Sequence, residues 1–165
     1  MARSSIPQSA LSVALLALAG CASLPPPSLS VASVHDGDTL TLSTGARVRI
    51  AEIDAPESCQ PAGDGSTASL RALCLGRPAE VTPTARDRYG RTVARVACAG
   101  VDVSTHQVTA GWAWVYVAYA PKDSPLYPIE AAARGAQRGL WAQPAVPPWD
   151  FRRQHQPCGP KKQGN

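Results

Sequence analysis

The sequence predicts an α+β domain: a five-stranded barrel of the OB type carrying about three helices. Five short runs of apolar and β-branched residues alternate with turn residues, as in a small closed sheet. Three further segments carry helical patterning or end signals. The composition, 44% hydrophobic and 17% charged, is that of a globular chain. At 165 residues there is room for one such domain with a real core.

The elements follow in order. Leu29 to Val34 and Thr39 to Leu42 read as strands joined by the tight His35-Asp36-Gly37-Asp38, and Ser43-Thr44-Gly45 turns the chain into a third, Arg47 to Ile53. After the polar loop from Gln60 to Gly65, Leu70, Leu73 and Cys74 recur at helical spacing, with Asp64 or Ser66 as cap and Gly76 as stop. Strands from Ala79 to Thr82 and Thr92 to Ala97 flank the turn Arg86-Asp87-Arg88-Tyr89-Gly90-Arg91. A short helix spans about Val103 to Ala110, capped by Asp102, and Trp112 to Tyr119 is aromatic and β-branched. The last helix runs from about Pro125 to Arg138, with Ile129, Ala132, Ala133 and Ala136 on one stripe and Gly139 as its stop. No internal repeat is present.

The ends differ in character. Arg3 and the apolar Ala10 to Ala19, too short to span a bilayer comfortably, read as an export signal over residues 1–20. Leu18-Ala19-Gly20-Cys21 resembles the lipobox of bacterial lipoproteins, which implies cleavage before Cys21, its lipidation, and a membrane-anchored protein of the cell envelope. Residues 21–28 then form a Pro-rich linker, 29–143 the domain, and 144–165 a Pro-rich basic tail. Arg152, Arg153, Lys161 and Lys162 in that tail are expected to be solvated.

Cys59, Cys74, Cys98 and Cys158 remain, an even number in an exported domain, and so are expected in disulfides. Three connectivities are open, of which Cys59 with Cys74 and Cys98 with Cys158 is preferred. Zinc is disfavoured, because no cysteines stand at CxxC spacing. The formal charge of +4 comes from the ends: acids and bases nearly balance between Cys21 and Phe151, which excludes a uniformly basic nucleic-acid binder.

Chemistry concentrates in three places. Asp36 and Asp38 stand at i and i+2, and Asp54 and Glu57 flank Pro56 after the third strand; such hard oxygen donors suit Ca²⁺ or Mg²⁺. Arg86, Arg88 and Arg91 surround Tyr89 in a tight turn, and guanidinium groups take phosphate oxygens in pairs. Arg49 stands inside the third strand. Carboxylates for a cation together with arginines are what a phosphoryl transition state requires. His35 and His106 are expected beside a hairpin and on a helix face rather than in catalysis. Trp112 and Trp141 are expected in packing.

The motifs DGDT, RIAEIDAPE and DRYGR stand in the order and approximate spacing of the staphylococcal nuclease (thermonuclease) family, which the chain resembles. The likeness continues through HQVTAGWAWVYVAYAP and a last helix ending in RGLW, over roughly residues 30 to 142. It implies an OB-fold barrel and a Ca²⁺-dependent nuclease acting on DNA and RNA with little sequence specificity, leaving 3′-phosphate ends, with no obligate protein partner. By that resemblance Asp38 and Asp54 are the metal carboxylates, Ala55 supplies a backbone carbonyl, and Asp36 acts near the metal through water. Glu57 is the general base, and Arg49 and Arg91 hold the scissile phosphate. Arg88 and Tyr89 contact the terminal phosphate and Tyr119 the base. Ala55 replaces a threonine, Val117 a second base-facing tyrosine, and Arg88 a lysine. Stacking at the base is then expected to weaken, or to come from Tyr116 or Trp114.

A non-catalytic OB-fold module binding nucleic acid or protein is the alternative, although such members lose the acidic or arginine positions retained here. One constraint is geometric. Arg49 and Asp54 are five apart, so a regular strand would point them to opposite faces. If both serve one site, the chain must bend or bulge near Ala51-Glu52-Ile53.

Overall fold

The computed structural model describes residues 29–154 and Cys158. Cys21, the expected signal and linker, and Lys161 and Lys162 lie outside the described residues.

The mixed sheet starts from an antiparallel meander. β1 (Val31–Val34), β2 (Thr39–Leu42) and β3 (Arg47–Ile50) pair in sequence order, their apolar side chains turned inward. β3 then pairs in parallel with β6 (Thr92–Cys98), which pairs antiparallel with β5 (Ala79–Arg86), giving the order β1-β2-β3-β6-β5. The sheet closes on itself. Ser30 bridges Pro78, Ala79 donates its amide to the Leu29 carbonyl at 2.7 Å, and Val31 donates to Arg77 at 3.1 Å. Two short pairs complete the strands: β7 (Val101–Asp102) on β6, and β4 (Ile53–Asp54) with β8 (Trp114–Val115). The five barrel strands are those expected from the sequence, and the fold is the OB-like α+β one.

α1 (Gly63–Cys74) packs on β1, and α2 (Val103–Thr109) packs on β6 and on α3 (Leu126–Gly135). Leu40, Ile50, Ile53, Leu70, Val96, Val103 and Val108, all essentially inaccessible, form the core between barrel and helices. Asp102 caps α2 as expected, accepting from the Thr105 amide at 2.7 Å. α1 departs from expectation: its N-cap is Ala62, with no side-chain cap, and Ser66 instead donates to the Trp112 carbonyl at 2.7 Å. α4 (Pro148–Gln154) is a fourth helix, where a solvated tail was expected.

The disulfides correct the preferred pairing. Cys74 bonds Cys98, with Cα atoms 5.2 Å apart, and Cys59 bonds Cys158 at 5.6 Å. The reason is α1 itself. At about 1.5 Å per residue its 12 residues span roughly 18 Å and carry Cys74 to the far end, while the Gln60 and Gly63 amides, donating to the Glu57 and Gln60 carbonyls, close turns that keep Cys59 at the near end. Among the described residues no helix is long and apolar enough to cross a membrane.

Candidate active site

The site begins where β2 and β3 run side by side. Thr39 pairs with Arg49 across the ladder, and the Ile50 amide donates to the Asp38 carbonyl at 2.8 Å, so the start of β2 meets the end of β3. Gly37 lets the Asp36–Asp38 loop sit down on α1. A Cβ there would stand 1.7 Å from the Ser66 hydroxyl and 2.8 Å from the Ala55 methyl. From below, the buried Gln107 donates to the carbonyls of Gly37 at 2.7 Å and Ser66 at 3.1 Å.

The expected break in the third strand is present. β3 ends at Ile50 and β4 starts at Ile53, with Glu52 between them at φ 66°. A left-handed glutamate carries some strain, and it is held on several sides. Its carboxylate takes Arg95 at 2.5 Å and the Ser124 hydroxyl at 3.1 Å, and its carbonyl takes the Tyr116 amide at 2.8 Å. The bend turns Asp54 back onto the face of Arg49.

Arg49 fills the corner so made. It donates to the carbonyls of Ile50 (2.7 Å) and Ile53 (2.8 Å) and to the Asp54 carboxylate (3.0 Å), and lies 3.3 Å from that of Asp38. Burial pulls its pKa down, but the charges of Asp38 and Asp54 outweigh that and raise it. Asp38 and Asp54 are 5% and 1% exposed. Asp38 also accepts the Thr39 hydroxyl at 3.0 Å and the Ala55 amide at 2.7 Å. Burial pushes the Asp54 carboxyl up, against a hydrogen bond from Arg152 that favours its charge. Burial first, and the Asp38 charge second, push Asp36 up to about 7.

Glu57 sits just beyond, on a turn closed by its carbonyl accepting the Gln60 amide at 2.9 Å. Across a cleft of about 1230 Å³, the turn between β5 and β6 presents Arg88, Tyr89 and Arg91. Asp87 orders that turn: one oxygen takes the amides of Tyr89 and Arg91, both at 2.9 Å, and the other takes the Arg91 side chain at 2.6 Å. Desolvation would raise the Asp87 pKa, but the Arg91 bonds prevail and hold it low. Tyr89 is 69% exposed, with Arg88 and Arg91 guanidinium groups 4.9 and 5.6 Å from its ring centre. Tyr119, 73% exposed, stands at the far rim, edge-on to Tyr116 at 5.0 Å.

Asp36, Asp38, Arg49, Asp54, Ala55, Glu57, Arg88, Tyr89, Arg91 and Tyr119 therefore all line one cleft. His35 and His106 do not; they contact Thr41 and Ser69 respectively. Trp114 is buried edge-on against Trp141 at 5.0 Å and offers no face to a base, whereas Tyr116 lies in the cleft wall. Trp112 packs against Gly65, in keeping with a packing role.

The expectation for Arg152 fails. Although its side chain is still 43% exposed, it donates to the Asp54 carboxylate at 2.7 and 3.2 Å and to Glu57 at 2.8 Å. Its helix is seated by Trp149 stacked on Tyr116 at 5.4 Å, and the chain before it by Gln60 donating to the Val146 carbonyl at 2.6 Å. The one sequence signal was Cys158, whose bond to Cys59 returns the chain end to the Glu57 turn.

The donor set suits a hard cation. Two nearly inaccessible carboxylates share Arg49, and Asp36, desolvated beside Asp38, adds a third oxygen donor group close by. Among the described residues no group of three or more metal-binding side chains stands together; Asp54 meets Arg49 and Arg152.

Comparison with known proteins gives a consistent picture. A family model described as staphylococcal nuclease homologue matches residues 47–143. The chain is 41% identical over 128 residues to an uncharacterized endonuclease of Escherichia coli, covering 74% of this chain and 82% of that one. It is 36% identical over 137 residues to a micrococcal nuclease of Shigella flexneri, covering 74% and 79%. A probable staphylococcal-like nuclease of rice is 37% identical over 108 residues, covering 65% of this chain and 32% of that protein.

Proposed function

The chain belongs to the staphylococcal nuclease family and is a nuclease, and from that premise we propose a Ca²⁺-dependent hydrolase of DNA and RNA with low sequence specificity. Its products carry 3′-phosphate ends, so the bond from phosphorus to the 5′ oxygen is the one broken. The observation that carries this reading is the convergence of Asp38, Asp54, Glu57, Arg49 and Arg91 on one cleft.

Asp38, Asp54 and the Ala55 carbonyl would hold the ion, with Asp36 near it through water. Such an ion would supply Lewis-acid polarisation of a phosphoryl oxygen and orientation of the attacking water. Glu57 takes the proton from that water as it attacks, and its place on a rigid turn fixes where the proton goes. Arg49 and Arg91 approach the phosphate from two walls and neutralise the charge that develops on its oxygens; donors held in place beforehand act most strongly at this stage. Arg88 and Tyr89 take the neighbouring terminal phosphate. Tyr119 offers a flat surface to bases without reading their edges, which favours single-stranded or frayed substrates, while Tyr116 supports it and is itself stacked by Trp149. The protein acts as a monomer, exported and tethered to a membrane through lipid on Cys21.

The test is digestion of denatured DNA and of RNA with Ca²⁺ and with chelator, followed by analysis of the ends. Activity lost in chelator and 3′-phosphate ends are expected; equal activity in both conditions defeats the proposal. Glu57→Gln separates an enzyme from a binding module. Turnover should fall about 10²–10⁴-fold, with substrate affinity held.

A further inference from the structure

Arg152 is bonded to two carboxylates that the proposed mechanism assigns to other work, Asp54 to the ion and Glu57 to the proton. Both Asp54 oxygens take a guanidinium nitrogen of Arg152, and one of them also takes Arg49. A carboxylate so occupied has little left for a further cation. Arg152 is placed by design of the chain rather than by chance contact. Pro148 is buried, Trp149 stacks on Tyr116, and Cys158 is bonded to Cys59 beside the Glu57 turn. The guanidinium is thus held near the acidic cluster at the high effective concentration of an intramolecular ligand.

We propose that Arg152 is a displaceable cation of the acidic site, present beside the fixed Arg49, competing with the metal for Asp54 and so setting its affinity. The inference rests on the reading that Asp38 and Asp54 hold Ca²⁺. Loading with the ion expels the guanidinium from Asp54 and frees Glu57 at the same time, so one exchange prepares both the ion's ligand and the base. Because a cation replaces a cation, the buried carboxylates are never left uncompensated, which would otherwise be costly. If the arginine-occupied state holds about 90–99% of molecules, the apparent affinity for the ion is weakened roughly 10- to 100-fold.

The test is calorimetric titration of the full-length protein with Ca²⁺, without nucleic acid. Arg152→Gln should bind the ion about tenfold or more tightly than the natural chain. Its melting temperature should fall in chelator but rise further on Ca²⁺ addition, whereas a merely structural role would lower both melts equally. The Cys59→Ser/Cys158→Ser double variant should also bind more tightly, because the tether is gone. Equal or weaker binding by Arg152→Gln, while the natural chain binds and Asp54→Asn does not, overturns the competition and leaves the metal reading intact. Absence of binding in the natural chain and in Arg152→Gln alike overturns the metal reading, and the competition with it. Tight binding in Arg152→Gln with unchanged binding in the double cysteine variant overturns the role of the tether.

Discussion

Arg49 is a structural and a chemical residue at once. Where β3 stops, two carbonyls lose strand partners, and its guanidinium supplies donors to both while also meeting Asp54. A lysine carries its three donors on one nitrogen and cannot stand both where Nη1 meets the two carbonyls and where Nη2 meets Asp54. Arg49→Lys is therefore expected to lose about 1–3 kcal/mol of stability, read from urea unfolding. Its turnover should fall roughly 10²–10³-fold, in line with loss of a preorganised donor. An Arg49→Lys variant as stable as the natural chain would show that the carbonyls find other partners. Most of the residues around Arg49 were legible in the sequence, because Asp36, Asp38, Asp54, Glu57 and the Arg88–Arg91 turn fall in three short motifs, each positioned by its own local backbone. Arg152 was not legible, since its place depends on a covalent bond between positions 59 and 158. Gln107 falls within the HQVTAG stretch of the resemblance, but nothing there told that its amide would lie buried under the Gly37 loop.

Among the elements, the bend between β3 and β4 decides whether there is a site at all. Parity alone required it, so its existence and approximate position could be read from the spacing of Arg49 and Asp54; the left-handed Glu52 that makes it could not. Glu52→Val puts a β-branched residue at φ 66° and removes the bonds to Arg95 and Ser124. A cost of about 1–3 kcal/mol is expected in denaturant unfolding, with activity lost beyond what that instability explains, because Asp54 rotates away from Arg49. α2 gives a pH prediction. Burial lowers the His106 pKa below 6.5, so between the folded and unfolded values the unfolded chain binds more protons. Stability then rises with pH through that window and is lost on acidification. His106→Gln, which can keep a bond to Ser69, should flatten the pH dependence of the melting temperature below about 6.5. An unchanged slope would assign it to other groups.

The molecule as a whole is a closed barrel stapled twice, and the two bridges do different things. Cys74–Cys98 joins the end of α1 to the end of β6 inside the core, whereas Cys59–Cys158 closes a separation of 99 residues around the outside. By chain entropy the long bridge is the larger constraint on the unfolded state. Cys59→Ser/Cys158→Ser should cost about 3–5 kcal/mol, measured as a shift in the denaturant midpoint. A negligible shift would mean that the unfolded chain holds those ends together without the bond. The pairing could not be narrowed from the sequence, because an extended loop from Gln60 to Gly65, at about 3.3–3.6 Å per residue, could fold back along the expected helix; the turns that hold Cys59 at the start of α1 exclude that in the folded chain.

That long bridge also makes the C-terminus a handle. Cys59 lies in the same turn as Glu57 and Gln60, so force applied beyond Cys158 passes through the disulfide to the turn that carries Glu57. A fused domain, an affinity tag or an adsorbing surface attached beyond Cys158 pulls on the Glu57 turn, whereas the same load at Leu29 is carried by the closed seam of the barrel.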